Sequence, residues 1–376
     1  MKIPMNDVTA HLATLGDELE RAVRDVVRGG AYIMGPQVAE LERALATYLG
    51  VKHAVGVSSG TDALLVALMA LGVGPGDQVL TSTYSFFASA GAAARLGATP
   101  ILLDIDPASF NLDPAALEAW LANNDAARIK AILPVHLFGQ CADMARILEL
   151  AARYHIPVIE DAAQAIGATC PLAGTIRRAG TMGLAGCFSF FPSKNLGGIG
   201  DGGLVVTGDD DLAGRIRRLR VHGAEPKYHH ALVGGNFRLD TIQAAALLVK
   251  LPHLEAWHRA RRDRAAVYDE ALAGLAITPP LTFGRAHHVY NQYVIRVARD
   301  RERVRADLAA GGVASAVFYP VPFHLQECFR SLGHARGDFP QAEAAAGTSL
   351  ALPIYPEMTA EQQAHVVSLL RQACAR

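Results

Sequence analysis

Residues 187–207 read CFSFFPSKNLGGIGDGGLVVT. The stretch holds a literal GxGxxG at Gly198, Gly200 and Gly203. A dinucleotide-binding fold needs a strand, a glycine turn and a helix, in that order. Here the glycines follow a loop and precede the strand-like LVVTG, so that reading is rejected. What remains is one lysine, Lys194, among Phe188, Phe190, Phe191 and glycines, with no acidic residue within six positions. Such a lysine is either a snorkelling loop residue or an amine whose pKa is lowered so that it attacks a carbonyl. The glycines imply tight turns with positive φ, or close approach of backbone to a bulky group attached at Lys194.

Working outward, strand-like and helical patterns alternate from about Ala54 to Thr207. AVGVSS is a short apolar run; TDALLVALMALG carries helix-periodic apolar residues at 64, 65, 68 and 71, with Gly72 as a stop. QVLTSTYSF, TPILLDI, IKAILPVHLFG, IPVIED, GCFSFF and GGLVVTG are strand-like, and ASAGAAARLG and MARILELAARYH are helical. Strands apolar on both faces imply a mostly parallel sheet covered by helices, with ligands at the strands' C-terminal ends. From about Leu251 the pattern changes to a long Arg-rich helix, LEAWHRARRDRAAVYDEALAGL. Strand-like HVYNQYVIRV and ASAVFYP and helical RERVRADLAAGG and EQQAHVVSLLRQA follow. The expected fold is α/β: a large domain over residues 1–250, with an N-terminal arm, and a smaller α+β domain over 251–376.

Composition narrows the function. The 376 residues are 51% hydrophobic and 19% charged, with a formal net charge of −1, which argues against a nucleic-acid partner held by bulk charge. The start, MKIPMNDVTAHLATL, lacks a basic segment followed by an apolar one, and no apolar run is long enough to span a bilayer. Five scattered cysteines without CxxC spacing (Cys141, Cys170, Cys187, Cys328, Cys374) imply buried thiols in a reducing cytoplasm, and no metal site.

Two further stretches carry chemistry. In SSGTDAL, residues 58–64, a strand ends and a helix begins near Asp62. Its free N–H groups form an anion site, or its hydroxyls simply cap the helix. In VIEDAAQAIGA, Asp161 stands past an apolar strand, with Gln164 three residues on. A carboxylate there holds a heterocyclic nitrogen protonated, or again caps a helix. Together with Lys194 these features fit pyridoxal phosphate, which needs a reactive lysine, a carboxylate for its ring nitrogen and a phosphate cradle. Phe86, in TYSFFAS, is placed to stack on the ring.

Four ordered motifs, SSGTDAL, EDAAQAIGA, FSFFPSKNLGGIGDGG and GGNFRLDTIQAA, resemble the DegT/DnrJ/EryC1/StrS sugar aminotransferases, fold-type I enzymes acting on nucleotide-linked keto sugars. The resemblance runs from AYIMGPQVAELE to LALPIYPEMT. It implies that Lys194 forms the Schiff base, that Asp161 partners the pyridine nitrogen and that Gln164 touches the phenolic oxygen. It implies stacking by Phe86 and phosphate contacts from Thr61, the backbone of Asp62 and Ser189. Asn236 matches a residue supplied by a neighbouring subunit, which implies a homodimer with shared active sites. Two positions depart from the pattern: Ser59 stands where Asn is common, and Phe237 where Ser is common. A dehydratase subgroup has His in place of Lys194, so the lysine implies transamination.

The resemblance implies L-glutamate as amino donor and amination at C3. The stretch HGAEPKYHHALVGGNFRLD makes Lys227, Tyr228, His229 and Arg238 substrate-site candidates, and FYPVPFHLQECF adds His324. A solvated HH loop and a satisfied core histidine are the structural alternatives. Asn195 and the tail pattern favour a dTDP-3-oxo-6-deoxyhexose. UDP-2-acetamido-3-oxo-glucuronate and a C4 aminotransferase are the alternatives. Rivals of another kind are a cofactor-binding regulator without turnover and a desulfurase using Cys328, although Cys328 is expected to be a buried structural thiol.

Overall fold

The computed structural model describes residues 1–298 and 300–374. Seven strands build the main sheet. They are β1 (His53–Val57), β2 (Gln78–Ser82), β3 (Thr99–Leu103), β4 (Ile129–Leu133) and β5 (Ile159–Asp161), then, after an excursion β6 (Thr169–Leu172) and β7 (Thr175–Arg178), β8 (Ala185–Ser189) and β9 (Gly203–Thr207). β3, β2 and β4 pair in parallel, and β5 pairs in parallel with β8. Isolated parallel bridges, Ile132 to Val158 and Val135 to Asp161, join the two groups. The resulting order is β3-β2-β4-β5-β8-β9-β1. Only β9 is reversed, pairing antiparallel with both β8 and β1. The expected mostly parallel sheet is therefore present, with β6–β7 as a separate antiparallel hairpin.

β9 is buried along its whole length, which explains its unbroken apolar sequence. The helix Gly60–Ala70 is buried over Ala63–Leu68 and Ala70, and packs against β8, β9 and the helix Ala88–Arg95. An element enclosed this way cannot shift without displacing its neighbours, so its N-terminus is a rigid point.

The C-terminal part builds a second, antiparallel sheet, β10 (Ile277–Thr278), β11 (Tyr293–Val297) and β12 (Ser349–Leu352). Its core includes Tyr268, Tyr293, Val304, Leu308, Val366 and Leu370. Ile3 belongs to the same core and is strapped there: its N–H donates to Gly312 O (2.9 Å) and its carbonyl accepts from Ala314 N (2.9 Å). The start of the chain thus packs on the C-terminal part, whereas the sequence placed it with the large domain. The strand expected over ASAVFYP reduces to one bridge, Ala316 to Ala351, and residues 288–292 precede β11 without joining it.

Among the described residues no helix is long and apolar enough to cross a membrane, and no cluster of His, Cys, Asp or Glu is arranged to hold a metal. Cys141 and Cys187 are buried, Cys170 and Cys374 half-buried. Cys328 is exposed, contrary to expectation: it lies on the short turn Glu327–Leu332, whose inward residue is Phe329.

Candidate active site

Strand register brings the sequence motifs to one edge of the main sheet. Gly203 pairs with both Val57 and Ser189, and Asp161 pairs with Cys187, two residues before Ser189. The C-terminal ends of β1, β5 and β8 therefore lie side by side, where ligands of such sheets bind.

The segment after β1 turns into the helix Gly60–Ala70. Ser59 caps it, its Oγ accepting from Asp62 N (3.0 Å), so the Asp62 N–H expected to meet a phosphate is already engaged, and Ser58 Oγ donates to Asp62 Oδ2 (2.6 Å). Among the described residues the N–H groups of Gly60 and Thr61 meet no acceptor. A Cβ on Gly60 would fall 2.6 Å from Ser189 Cβ, so the helix start and the end of β8 are in contact. Two free N–H groups, a positive helix end and a serine hydroxyl share one corner, which suits a phosphate.

Asp161 is buried. Its Oδ2 accepts from Ser89 Oγ (2.7 Å) and its Oδ1 from Ala163 N (3.1 Å). Burial raises its pKa, while these donors and the charges of Lys194 and His136 pull it back. A buried carboxylate so placed gains from any further N–H cation. Gln164 is buried too; its Oε1 accepts from Phe138 N (2.7 Å) and its Nε2 donates to Tyr319 Oη (2.9 Å).

Lys194 is half-buried, and no acceptor lies within hydrogen-bond reach of its Nζ among the described residues. Desolvation lowers its pKa to about 8, against the attraction of Asp161. A desolvated amine without a partner fits a nucleophile better than a snorkelling loop residue, whose charge would sit in water.

The glycines around Lys194 need a different explanation from the one expected. None of Gly197, Gly198, Gly200, Gly202 or Gly203 has positive φ. Their missing Cβ atoms make room for protein: Pro192 O at 2.4 Å for Gly197, the Gln243 amide at 2.7 and 2.6 Å for Gly198 and Gly200, and Ser59 O at 2.3 Å for Gly203. The constraint is close packing of the chain on itself, not access for a group on Lys194.

Phe86 is exposed, with its ring 6.1 Å from that of Tyr319, so one flat apolar face is free near Asp161's partner Ser89. Arg238 bridges to Val57 beside the helix start; its Nε is buried without a partner among the described residues. Asn236 is exposed. Lys227, Tyr228 and His229 lie on an exposed loop closed by Glu225 N to His229 O (2.9 Å), and make no hydrogen bond to the residues above. His324 is buried, with Nδ1 2.9 Å from Thr83 Oγ1 and Nε2 3.1 Å from Glu343 Oε1. Both ring nitrogens are engaged, the pattern of a satisfied core histidine.

Residues 13–371 match the DegT/DnrJ/EryC1/StrS aminotransferase family. The chain belongs to this family. It is 46% identical over 99% of its length to a "Pleiotropic regulatory protein" of Geobacillus stearothermophilus, covering 98% of that protein. It is 44% identical over 98% of its length to a UDP-N-acetyl-3-dehydro-alpha-D-glucosamine 3-aminotransferase of Acidithiobacillus ferrooxidans, covering 97% of it. The crystal structure of Streptomyces venezuelae DesV in complex with a ketimine intermediate superposes with a TM-score of 0.94 at 40% identity, covering 100% of this chain and 99% of that one.

DegT/DnrJ/EryC1/StrS members are pyridoxal-phosphate-dependent sugar aminotransferases, and solved relatives hold the cofactor in its amine or aldehyde form. The residues here fit that cofactor: an amine with lowered pKa, a buried carboxylate, a flat apolar face and a phosphate corner. Two contributors escaped the sequence reading. Ser89, in a helix that reads as plain small-residue packing, orients Asp161. Tyr319, within a stretch taken for a strand, binds Gln164 from 155 residues away. Neither has a local signal.

Proposed function

We propose that the protein transfers the amino group of L-glutamate to C3 of a nucleotide-linked 3-oxo sugar. Transamination is supported by Lys194, an amine without a hydrogen-bond partner among the described residues, near the buried carboxylate of Asp161, and the 3-oxo sugar by the name of the Acidithiobacillus relative. Pyridoxal phosphate, when bound, supplies an electrophilic aldehyde and an electron-accepting ring. Lys194 Nζ would be the residue that holds it covalently, and as a free amine it would serve as the base and acid for the proton at the donor's Cα. Asp161, oriented by Ser89, would keep the ring nitrogen protonated. The N–H groups of Gly60 and Thr61, with Ser189 Oγ, would hold the phosphate, Phe86 would stack on the ring, and Gln164 would contact its phenolic oxygen.

The active assembly in this reading is a homodimer. Tyr32, Ile33, Met34, Phe191, Ile199, Tyr228 and Val233 are all exposed apolar residues, which a second copy would cover. Asn236, Lys227, Tyr228 and His229, all exposed, are then delivered to the partner's site. Arg238, with a buried unpaired nitrogen, stays as an anion contact. His324, with both nitrogens engaged, is better placed as a brace between Thr83 and Glu343.

Asn195 does not read the nucleotide in this account. It is buried, and its Nδ2 donates to Val289 O (2.8 Å). The Acidithiobacillus relative, named for a UDP-linked sugar, supports a UDP-linked 2-acetamido-3-oxo sugar as the first substrate to try, with a dTDP-3-oxo-6-deoxyhexose second. The test is to incubate the holoenzyme with L-glutamate and each sugar and to follow 2-oxoglutarate and the position of the new amine. An amine at C3 supports the reading, and an amine at C4 overturns it. The Geobacillus relative's name supports one rival, a regulator that holds cofactor without turnover. That rival predicts no 2-oxoglutarate with any sugar.

A further inference from the structure

Lys250 ends the helix Thr241–Lys250 and is only 2% exposed. Among the described residues no carboxylate pairs with it. Its Nζ donates instead to two backbone carbonyls, Gly197 O at 2.7 Å and Gly198 O at 3.3 Å. A buried ammonium held only by carbonyls is an expensive arrangement, and burial alone lowers its pKa, to about 8. Those carbonyls lie three and four residues after Lys194.

The same helix grips the same loop a second time. Gln243 Oε1 accepts from Ile199 N (2.8 Å), and its amide fills the space that side chains on Gly198 and Gly200 would need. Gln243 and Lys250 are seven residues apart, about two helical turns. The loop's other anchors come from different elements: Gly198 N donates to Phe190 O (2.7 Å), and Asn195 to Val289 O (2.8 Å). The backbone after Lys194 is therefore held by hydrogen bonds while Lys194 Nζ itself is left without a partner.

We propose that Lys250 is a positioning residue that, with Gln243, fixes the loop carrying Lys194 in the geometry that lets its amine capture the cofactor. The inference rests on Lys194 being the attachment lysine. Removing Lys250 leaves two carbonyls without donors, and the loop relaxes toward water or other partners. A lysine of purely structural use would lose folding stability and cofactor affinity together. For Lys250 the relief of a buried ammonium offsets the two lost carbonyl hydrogen bonds, so its replacement by Met is expected to leave stability little changed while cofactor affinity falls.

The experiment compares wild type, Lys250→Met, Lys250→Gln and Gln243→Leu. Chemical unfolding of the cofactor-free proteins is measured beside the visible absorbance formed on titration with pyridoxal phosphate. Lys250→Met is expected to match or exceed wild-type stability, yet to bind cofactor about tenfold or more weakly and to shift the pH midpoint of its visible band. Lys250→Gln, which keeps two N–H donors without charge, is expected to recover most of the affinity. Wild-type affinity and band midpoint in Lys250→Met, or affinity lost only together with stability, overturn the proposal. Should Lys250→Met not fold, Gln243→Leu decides: weakened cofactor binding supports the clamp and unchanged binding refutes it. If wild type itself shows no band that Lys194→Ala abolishes, the reading of Lys194 fails, an outcome separate from failure of the clamp.

Discussion

Lys194→Met should make the cofactor-free protein more stable while ending its chemistry. Desolvation brings the Lys194 pKa from an ordinary 10.5 to about 8. At about 1.36 kcal/mol per pH unit, holding the ammonium in place at pH 7 costs about 3 kcal/mol, an upper bound because the side chain is half-buried. Between pH 8 and 10.5 the unfolded chain keeps this proton and the native one has lost it. Wild-type stability therefore gains on the variant as pH rises through that window. Methionine fills the same space and has no charge to desolvate. The assay is denaturant unfolding of both cofactor-free proteins at equal protomer concentration, at pH 7 and at pH 9.5, since association would otherwise shift the midpoint. The expected result is a variant about 2–3 kcal/mol more stable at pH 7, with the gap narrowing at pH 9.5. A variant no more stable at pH 7, or a gap that ignores pH, would refute the claim that Lys194 is held against its preferred charge state.

Other substitutions test the surrounding parts. Asp161→Asn keeps the shape but removes the charge that Ser89 orients; cofactor absorbance should persist while turnover with L-glutamate falls on the order of a hundredfold or more in steady-state kinetics. Gly60→Ala puts a Cβ 2.6 Å from Ser189 Cβ, which should part the helix start from β8 and weaken pyridoxal phosphate binding about tenfold by spectroscopic titration, with little change in helix content. Glu160→Gln should destabilise by about 3 kcal/mol in denaturant, because buried Glu160 accepts from His136 Nε2 and from the N–H groups of Gly180, Met182 and Gly183.

Where the sequence was informative, the signal was local and periodic. The β–α alternation from Ala54 to Thr207 translates directly into strands and helices, because strands buried on both faces leave continuous apolar runs. Lys194 and Asp161 stood out because a charge among aromatics, or at the end of an apolar strand, has few bland explanations. Register sets Asp161 beside Cys187, on the strand that leads to Lys194, a property of pairing that no single motif contains. The reversal of β9 was not legible, since direction leaves no trace in a fully buried strand. The glycines after Lys194 misled because composition alone does not separate positive φ from tight packing; only the positions of Gln243, Pro192 and Ser59 do. His324 and Tyr319 find their partners 241 and 155 residues away, and Ile3 is strapped to Gly312 and Ala314. Such contacts follow from the assembled fold and have no counterpart in spacing.

The most direct test of the central claim is the visible absorption spectrum of the pyridoxal-phosphate-loaded protein before and after L-glutamate, with Lys194→Ala as control. The account predicts a visible band in wild type that the control lacks, and its conversion by glutamate to the shorter-wavelength band of the cofactor's amine form. A band equally present in Lys194→Ala, or one that glutamate leaves untouched, would contradict it.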